Sequence, residues 1–382
     1  MGDLAGGARA AWAKGLGAWP SPDRFAWIDR RLGFYFILLG VANGLLSIAG
    51  QIGWDFDIYW SAGKSVAAGG SAYAATLALG ADQWGVGRTY VYPPFLAHVM
   101  APLTALPEAV GFAIFTAAGV AAVLLAFRLL DEVPTARRVP RIALGLGALW
   151  ITVFVGQVNL LVLAGLVLVV GSRNDRLAGA GLALAVLLRV TPAVFVLVLL
   201  AQRRWAATAW AAVFTALGAA VGYGDWETYL SILRTLGTLP PVQSLWQTSL
   251  AGIWLPLAVV AAAAVAVVFV AAGRRPSEAH VIRGTALGLG LLLVPWSSWF
   301  HWVAFTTAPL LVDGHRFAWS RRLLLAFVVA SWLIVPVGSW ATTAVAVVAL
   351  TGLCWRVLAV PRAWVSTPAG QPRPAQPGGE SG

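Results

Sequence analysis

Apolar runs recur along most of this chain and leave little room for charged residues. Of its 382 residues, 59% are hydrophobic and 11% are charged, whereas soluble domains carry roughly 25% charged residues. The runs also lack the strict alternation of apolar and polar residues that marks a strand in an outer-membrane barrel. Because backbone that faces lipid must satisfy its own hydrogen bonds, such runs are expected to be helices. The sequence therefore predicts an all-α polytopic membrane protein.

The basic residues are concentrated in short segments between the apolar runs. The formal net charge is +11, and Lys14 and Lys64 are the only lysines, so arginine supplies almost all of the positive charge. This distribution is typical of cytoplasmic loops under the positive-inside rule and argues against a nucleic-acid-binding surface. The single cysteine, Cys354, lies in the last apolar run, so no disulfide is expected. The arginine clusters that set the orientation include Arg173 and Arg176, Arg203 and Arg204, Arg274 and Arg275, and Arg321 and Arg322.

The alternation of apolar runs and arginine clusters predicts the topology. We expect a cytoplasmic segment over residues 1–31, a transmembrane domain of about 12 helices over 32–358, and a disordered, Pro- and Gly-rich cytoplasmic tail over 359–382. Residues 52–108 then form an outer region, in which the proline-containing stretch 91–107 is expected to be an interfacial or re-entrant helix. The predicted location is the plasma membrane, with both termini in the cytoplasm.

Polar residues interrupt the apolar runs on the predicted outer side. Asp55 and Asp57 follow the first run, Arg189 separates two short runs, and His301 lies in a break at residues 297–302. Each has a structural alternative, since Asp can cap a helix, Arg can anchor a helix end, and a lone His can be a packed residue. Arg is also suited to bind phosphate, and a pair of carboxylates can hold Mg²⁺ or Mn²⁺. A carboxylate, a guanidinium and an imidazole at one bilayer face favour an active site there.

Five motifs occur along residues 30–355 in an order that resembles glycosyltransferase family 87. The resemblance implies a GT-C fold and the transfer of mannose from polyprenol phosphate mannose, with formation of an α-linkage, as in actinobacterial members. Some members of the family use a polyprenol phosphate arabinofuranose donor instead. The motifs are Asp55-Phe56-Asp57-Ile58-Tyr59, Tyr90-Val91-Tyr92-Pro93-Pro94, Gly156-Gln157-Val158-Asn159, Trp246-Gln247-Thr248-Ser249-Leu250 and Ser297-Ser298-Trp299-Phe300-His301-Trp302.

The resemblance also assigns roles to individual residues. Asp55 corresponds to the general base, because it precedes the motif tyrosine by four residues, and His301 corresponds to a histidine associated with the donor phosphate. Arg189, the second expected phosphate ligand, stands where a lysine is common. Trp302 stands where a second histidine is usual, and Trp246 where an asparagine is usual. The residues expected to contact the sugar or the acceptor are Asp57, Tyr59, Tyr92, Gln157, Asn159, Gln247 and Trp299.

These residues predict a single displacement with inversion at the anomeric carbon. Asp55 would accept the proton of the acceptor hydroxyl, while Arg189 and His301 would stabilise the charge that builds on the departing phosphate. Neither a metal ion nor another cofactor is expected. The expected partners are a polyprenol phosphate sugar, a glycolipid or polysaccharide acceptor and the lipid bilayer, but not nucleic acid. The alternatives are an arabinofuranosyltransferase with a polyprenol phosphate donor, a transporter or flippase for a lipid-linked glycan, and a structural membrane subunit.

Overall fold

The computed structural model describes most of the predicted transmembrane domain. The predicted N-terminal segment 1–31 lies outside the described residues, as does the predicted tail except for residue 359. Trp246 and Ser297 of the sequence motifs also lie outside them. The described residues are 52–81, 84, 89–130, 144–239, 247–295, 298–313, 316–333 and 338–359, with nine positions between 35 and 46 that are helical.

The described residues form helices and no strand, which confirms the predicted all-α class. Gln247 and Trp299 make an isolated antiparallel bridge. Short 3-10 segments follow or precede several of the helices, at Ala101–Ala105, Thr191–Phe195 and Phe300–Trp302 among others. The helices are α1 (Trp54–Ala67), α2 (Ala74–Leu77), α3 (Pro94–Met100), α4 (Glu108–Arg128), α5 (Gly147–Val155), α6 (Asn159–Gly171), α7 (Asp175–Leu188), α8 (Val196–Ala201), α9 (Trp205–Ala220), α10 (Trp226–Thr238), α11 (Leu255–Ala271), α12 (Ala279–Leu293), α13 (Val303–Thr306), α14 (Ala308–Asp313), α15 (Ala318–Trp332) and α16 (Trp340–Leu358).

Fewer helices can cross a membrane by length alone than the sequence predicts. Among the described residues, the helices Glu108–Arg128, Leu255–Arg274 and Trp340–Leu358 are long and apolar enough, and the bent pair α9 and α10 becomes a fourth if it counts as one span. The predicted number of about 12 is therefore not confirmed. The physical reason is length: the 13 residues of α6 rise about 20 Å, whereas the hydrocarbon core of a bilayer is about 30 Å thick.

The short helix α6 lies at the centre of the fold. Almost all of its residues are buried, and it packs against α4, α7 and α14. A helix that is apolar on every side is expected to be buried on every side. The long helices α4, α11 and α16 instead keep many apolar side chains exposed, as lipid-facing helices do. Short, protein-covered helices therefore occupy the interior, and their ends bring polar residues into it.

Several predicted helix breaks are confirmed. Helix α5 ends at Gly156, and α6 begins at Asn159. Helix α7 ends before Arg189, whose backbone is extended, and a 3-10 turn follows at Thr191–Phe195. The spacing of the apolar runs also predicts an outer loop over residues 224–248 and a span that begins near residue 284. Instead, the amphipathic helix α10 lies within 224–248, and α12 begins at Ala279.

A pair of glycines lets α6 and α7 approach each other closely. A Cβ atom added to Gly165 would lie 2.4 Å from the carbonyl oxygen of Gly181, and a Cβ added to Gly181 would lie 2.5 Å from the carbonyl oxygen of Gly165. Small residues at a crossing allow two backbones to touch, which is the usual basis of tight helix packing in membranes. The contact also fixes Arg189, because that residue follows directly after α7.

We predict that Gly181→Ala lowers the unfolding temperature of the detergent-purified protein by several degrees. The added methyl group must push α6 and α7 apart, and overpacking of this kind costs about 1–3 kcal/mol. Gly352→Ala is the matched control, because Gly352 lies within α16 and a Cβ there meets no heavy atom within 4 Å. The measurement is the soluble fraction after heating, and equal melting of the two variants would contradict the role of the glycine pair.

Candidate active site

Helix α1 presents one of its two carboxylates to the polar interior. Asp55 and Tyr59 are four residues apart and lie on the same face of α1, whereas Asp57 lies roughly 200° around the helix from Asp55. The structure therefore separates the two carboxylates instead of pairing them on one face. Among the residues that the structure describes, no group of three or more His, Cys, Asp or Glu side chains could hold a metal ion.

The side-chain amide of Gln157 connects the residues around Asp55. Its Oε1 accepts hydrogen bonds from the Tyr59 hydroxyl at 3.0 Å and from Arg189 Nη2 at 3.5 Å. Its Nε2 donates to the Tyr92 hydroxyl at 3.3 Å, and Gln157 also hydrogen-bonds the carboxylate of Asp55. An amide has two N–H donors and two acceptor lone pairs, so these four partners use its whole capacity. The geometry therefore supports a positioning role for Gln157.

A glycine turn places Gln157 against α1. Gly156 has φ 73° and ends α5 in the left-handed region. A Cβ atom at this position would lie 2.6 Å from Cβ of Phe56, the residue next to Asp55. Only glycine fits both the dihedral angle and the contact. The turn between α5 and α6 consequently lies directly on α1, beside the residue expected to be the base.

Arg189 brings a positive charge into the same cluster. It is 9% exposed, and its Nη2 donates to the Tyr92 hydroxyl at 3.1 Å. Its guanidinium carbon lies 5.2 Å from the centre of the Tyr92 ring and 4.5 Å from the centre of the Trp302 ring. Within the described part of the chain, none of the ion pairs includes Arg189. The guanidinium is therefore held by hydroxyl, amide and aromatic groups, and Asp55 is close enough for the two charges to interact.

His301 approaches the cluster from the break before α13. The Asn159 side-chain amide donates to the carbonyl oxygen of His301 at 3.4 Å, and the Trp299 ring stacks parallel to the imidazole with ring centres 6.4 Å apart. Burial, and then the charge of Arg189, lower the pKa of His301 to about 3. The imidazole is therefore neutral near pH 7 and offers a hydrogen bond, not a second charge.

Four buried polar atoms of this cluster have no hydrogen-bond partner among the described residues. Leaving such an atom unpaired inside a protein costs about 1–3 kcal/mol, so a cluster of them indicates the place of a polar ligand. Nitrogen atoms dominate the set, which favours a ligand rich in acceptor oxygens. The atoms are Asn159 Oδ1, Arg189 Nε, His301 Nε2 and Trp302 Nε1.

The carboxyl group of Asp55 is tuned by the same neighbours. Burial raises its pKa to about 6, and the hydrogen bond from Gln157 and the charge of Arg189 act in the opposite direction. A carboxylate with a pKa close to the working pH is a better proton acceptor than an ordinary surface aspartate. Asp55 is thus partly buried yet ionised near pH 7, as a general base must be.

Two predicted site residues reach the cluster through the backbone. The antiparallel bridge between Gln247 and Trp299 holds the chain before α11 against the break that carries His301. The adjacent Thr248 N–H donates to the carbonyl oxygen of Ser298 at 2.9 Å, and the two hydroxyl groups lie 3.0 Å apart. These contacts support the position of Trp299 beside the imidazole, and place Gln247 at the edge of the cluster.

The sequence did not reveal a second polar cluster near α1. Asp225, at the start of α10, accepts a hydrogen bond from the Ser71 hydroxyl at 2.6 Å and lies 3.4 Å from His98 Nε2. These residues are far apart along the chain, and no shared motif indicates their contact. The cluster fixes α10 to the segment that follows α1.

The sequence is similar to known proteins of one family. The sequence profile of glycosyltransferase family 87 matches residues 90–287, which is more than half of the chain. The chain belongs to this family. The polyprenol-phosphate-mannose-dependent alpha-(1-2)-phosphatidylinositol mannoside mannosyltransferase of Mycobacterium tuberculosis is 29% identical over 363 residues, which cover 80% of this chain and 82% of the relative. No solved structure matches the chain.

The family match covers some of the site residues of this glycosyltransferase but not all of them. Residues 90–287 include Tyr92, Gln157 and Arg189, whereas Asp55 and His301 lie outside the matched segment. The placement of Asp55 and His301 in the site therefore depends on the geometry: Asp55 shares Gln157 with Arg189, and His301 is held by Asn159.

We predict that Gln157→Met moves the acid limb of the transfer activity upward by roughly one pH unit. Methionine has a similar size but cannot hydrogen-bond the Asp55 carboxylate, so the pKa of Asp55 rises when that bond is lost. The measurement is the rate of glycosyl transfer by membranes between pH 5 and pH 9. The same substitution at Gln202, at the end of α8, is the control. A lower rate with an unmoved acid limb would contradict the proposed contact.

Proposed function

We propose that this protein transfers a mannosyl residue from polyprenol phosphate mannose to a hydroxyl group of a glycolipid acceptor. The family supports glycosyl transfer, and the Mycobacterium tuberculosis relative is named for this donor and for a phosphatidylinositol mannoside acceptor. The observation that carries the proposal is the pairing of one carboxylate with one guanidinium through Gln157. This arrangement provides a base for the acceptor and a cation for the donor phosphate in one buried cluster.

The proposed reaction is a single displacement. Asp55 takes the proton of the acceptor hydroxyl, and the oxygen of that hydroxyl forms a bond to the anomeric carbon of the donor sugar. The bond between that carbon and the phosphate oxygen breaks, and its electron pair leaves with the polyprenol phosphate. The phosphate gains negative charge in this step, and the Arg189 guanidinium stabilises it. With one carboxylate in the cluster, the configuration inverts, so a β-linked donor gives an α-linked product.

Hydrogen bonds from neutral side chains complete the proposed donor site. The partnerless nitrogen atoms of Arg189, His301 and Trp302 are suited to phosphate oxygens, and Asn159 Oδ1 is suited to a sugar hydroxyl. Because Arg189 supplies the positive charge, the proposal includes no metal ion or cofactor. The arginine clusters support a site on the outer face of the plasma membrane, with both termini in the cytoplasm.

The first test replaces the proposed base. We expect Asp55→Asn to abolish transfer of radiolabelled mannose from polyprenol phosphate mannose to a phosphatidylinositol mannoside, because the amide cannot take a proton. Asp57→Asn is the matched control, since Asp57 lies on another face of α1, and it is expected to keep the activity within about threefold of that of the unchanged protein. Undiminished transfer by the Asp55 variant would refute the assignment of the base.

The pH profile is the second test of the same role. Because the pKa of Asp55 is raised to about 6, the base is protonated below that pH and ionised above it. We expect kcat/KM to be constant well above pH 6 and to fall about tenfold for each pH unit below it. An acid limb near pH 4, the ordinary range for Asp, would contradict the raised pKa.

The third test concerns the donor phosphate and the choice of sugar. We expect Arg189→Ala to raise the KM for polyprenol phosphate mannose at least tenfold, because a charge-assisted contact is worth about 1.5–3 kcal/mol. The KM for the acceptor is expected to stay the same. A parallel assay with polyprenol phosphate arabinofuranose tests the alternative donor, and faster transfer from it would correct the assignment of mannose.

A further inference from the structure

The guanidinium group of Arg189 lies close to two aromatic rings. Tyr92 approaches at 5.2 Å and Trp302 at 4.5 Å from ring centre to guanidinium carbon. Both residues are buried: Tyr92 is 8% exposed and Trp302 is 5% exposed. A guanidinium is planar and weakly hydrated, so it stacks on aromatic faces more readily than an ammonium group does. We refer to Tyr92, Arg189 and Trp302 together as the aromatic clamp.

The guanidinium of Arg189 uses Nη2 for hydrogen bonds within the protein, whereas its Nε has no partner among the described residues. Nη2 donates to the Tyr92 hydroxyl and to Gln157 Oε1. Nε is buried and has no partner among the described residues. The Nε–H group can therefore donate to a ligand oxygen that lies in the plane of the guanidinium.

Trp302 is itself firmly placed. It ends the 3-10 turn Phe300–Trp302, its backbone N–H donates to the carbonyl oxygen of Trp299 at 2.8 Å, and its ring packs against Phe305 with ring centres 5.8 Å apart. These contacts tie the ring to the break that carries His301. The break thus supplies both the imidazole and one wall of the clamp.

The aromatic clamp has a consequence for charge. A carboxylate beside Arg189 would hold the side chain in place but would also neutralise it, whereas an aromatic ring holds the cation and preserves its charge. None of the ion pairs in the described ranges includes Arg189. The rings therefore hold the cation without adding a negative charge to that of Asp55.

We propose that Trp302 is a positioning residue of the donor site, whose ring fixes the plane of the Arg189 guanidinium so that its Nε edge receives the phosphate of the polyprenol phosphate sugar. This inference rests on the proposed function. It explains why a large indole ring lies in the polar break beside His301, and why its N–H group has no partner in the described part of the chain. The N–H lies at the same donor-rich cluster and can hydrogen-bond the bound donor.

The test compares two substitutions of Trp302. Trp302→Leu removes the ring, and we expect the KM for polyprenol phosphate mannose to rise about tenfold with kcat reduced less than threefold, as expected for a buried cation–π contact. Trp302→Phe keeps a ring beside the guanidinium but loses the indole N–H, and its donor KM is expected to lie between those of the unchanged protein and the leucine variant. The acceptor KM should not change in either variant.

A matched control separates the clamp from general packing. Trp319 also covers an arginine, with its ring centre 5.8 Å from the guanidinium carbon of Arg356, and it donates a hydrogen bond to Glu278. Trp319→Leu therefore removes an equivalent contact outside the proposed site, and we expect the donor KM to be unchanged. If Trp302→Leu does not accumulate in membranes, Tyr92→Leu and Tyr92→Phe test the other ring. Both variants lose the hydroxyl that accepts from Arg189, and the leucine variant, which also loses the ring, should raise the donor KM further. Equal donor KM values in the two variants would contradict a role for the ring.

The outcomes separate this inference from the proposed function. If Arg189→Ala raises the donor KM but Trp302→Leu leaves it unchanged, the clamp is wrong and the phosphate site stands. If neither variant changes the donor KM, both the clamp and the phosphate site are overturned. Equal increases in the donor and acceptor KM for Trp302→Leu would show a structural role only, and would also overturn the inference.

Discussion

The site depends on a buried guanidinium that is held in place without a carboxylate at ion-pair distance among the described residues. A cation in an apolar interior is costly unless its environment compensates. Here the rings of Tyr92 and Trp302 lie close to the Arg189 guanidinium, and the Tyr92 hydroxyl and the Gln157 amide accept its hydrogen bonds. Each of these groups comes from a different element, so the surrounding helices must keep their relative positions for the charge to be tolerated.

The interrupted helices of the bundle supply these groups. A continuous membrane helix satisfies its own backbone and offers polar side chains only along its length, whereas a helix that ends inside the protein places several at one point. Helices end or begin at Gly156, at Arg189 and next to Trp302, and all three positions lie near the polar cluster around Gln157 and Arg189. The close contact of Gly165 with Gly181 supports this arrangement, because it fixes α6 and α7, which lead into and out of two of these turns.

The sequence predicts the breaks well because polar residues are conspicuous in such an apolar chain. Arg189 between two apolar runs, and Gln157 beside a glycine, already indicate interruptions, and both are confirmed as helix ends. The contacts between the breaks could not be predicted in the same way. The sequence around Trp302 does not indicate that its ring lies against Arg189. The sequence around Gln157 does not indicate that its side-chain amide hydrogen-bonds four protein groups. The number of membrane spans could not be predicted from the apolar runs, because hydropathy does not distinguish a helix buried in lipid from a helix buried in protein.

The charge of Arg189 links the two halves of the proposed reaction. Burial raises the pKa of Asp55, and the charge of Arg189 lowers it. Arg189 therefore makes Asp55 a weaker base as long as no bound anion offsets the guanidinium charge. A phosphate bound at the guanidinium would offset that charge, and the pKa of Asp55 would then rise. Asp55 would thus become a stronger proton acceptor only after the donor has bound, which favours a kinetic order in which the lipid-linked sugar binds before the acceptor hydroxyl is activated.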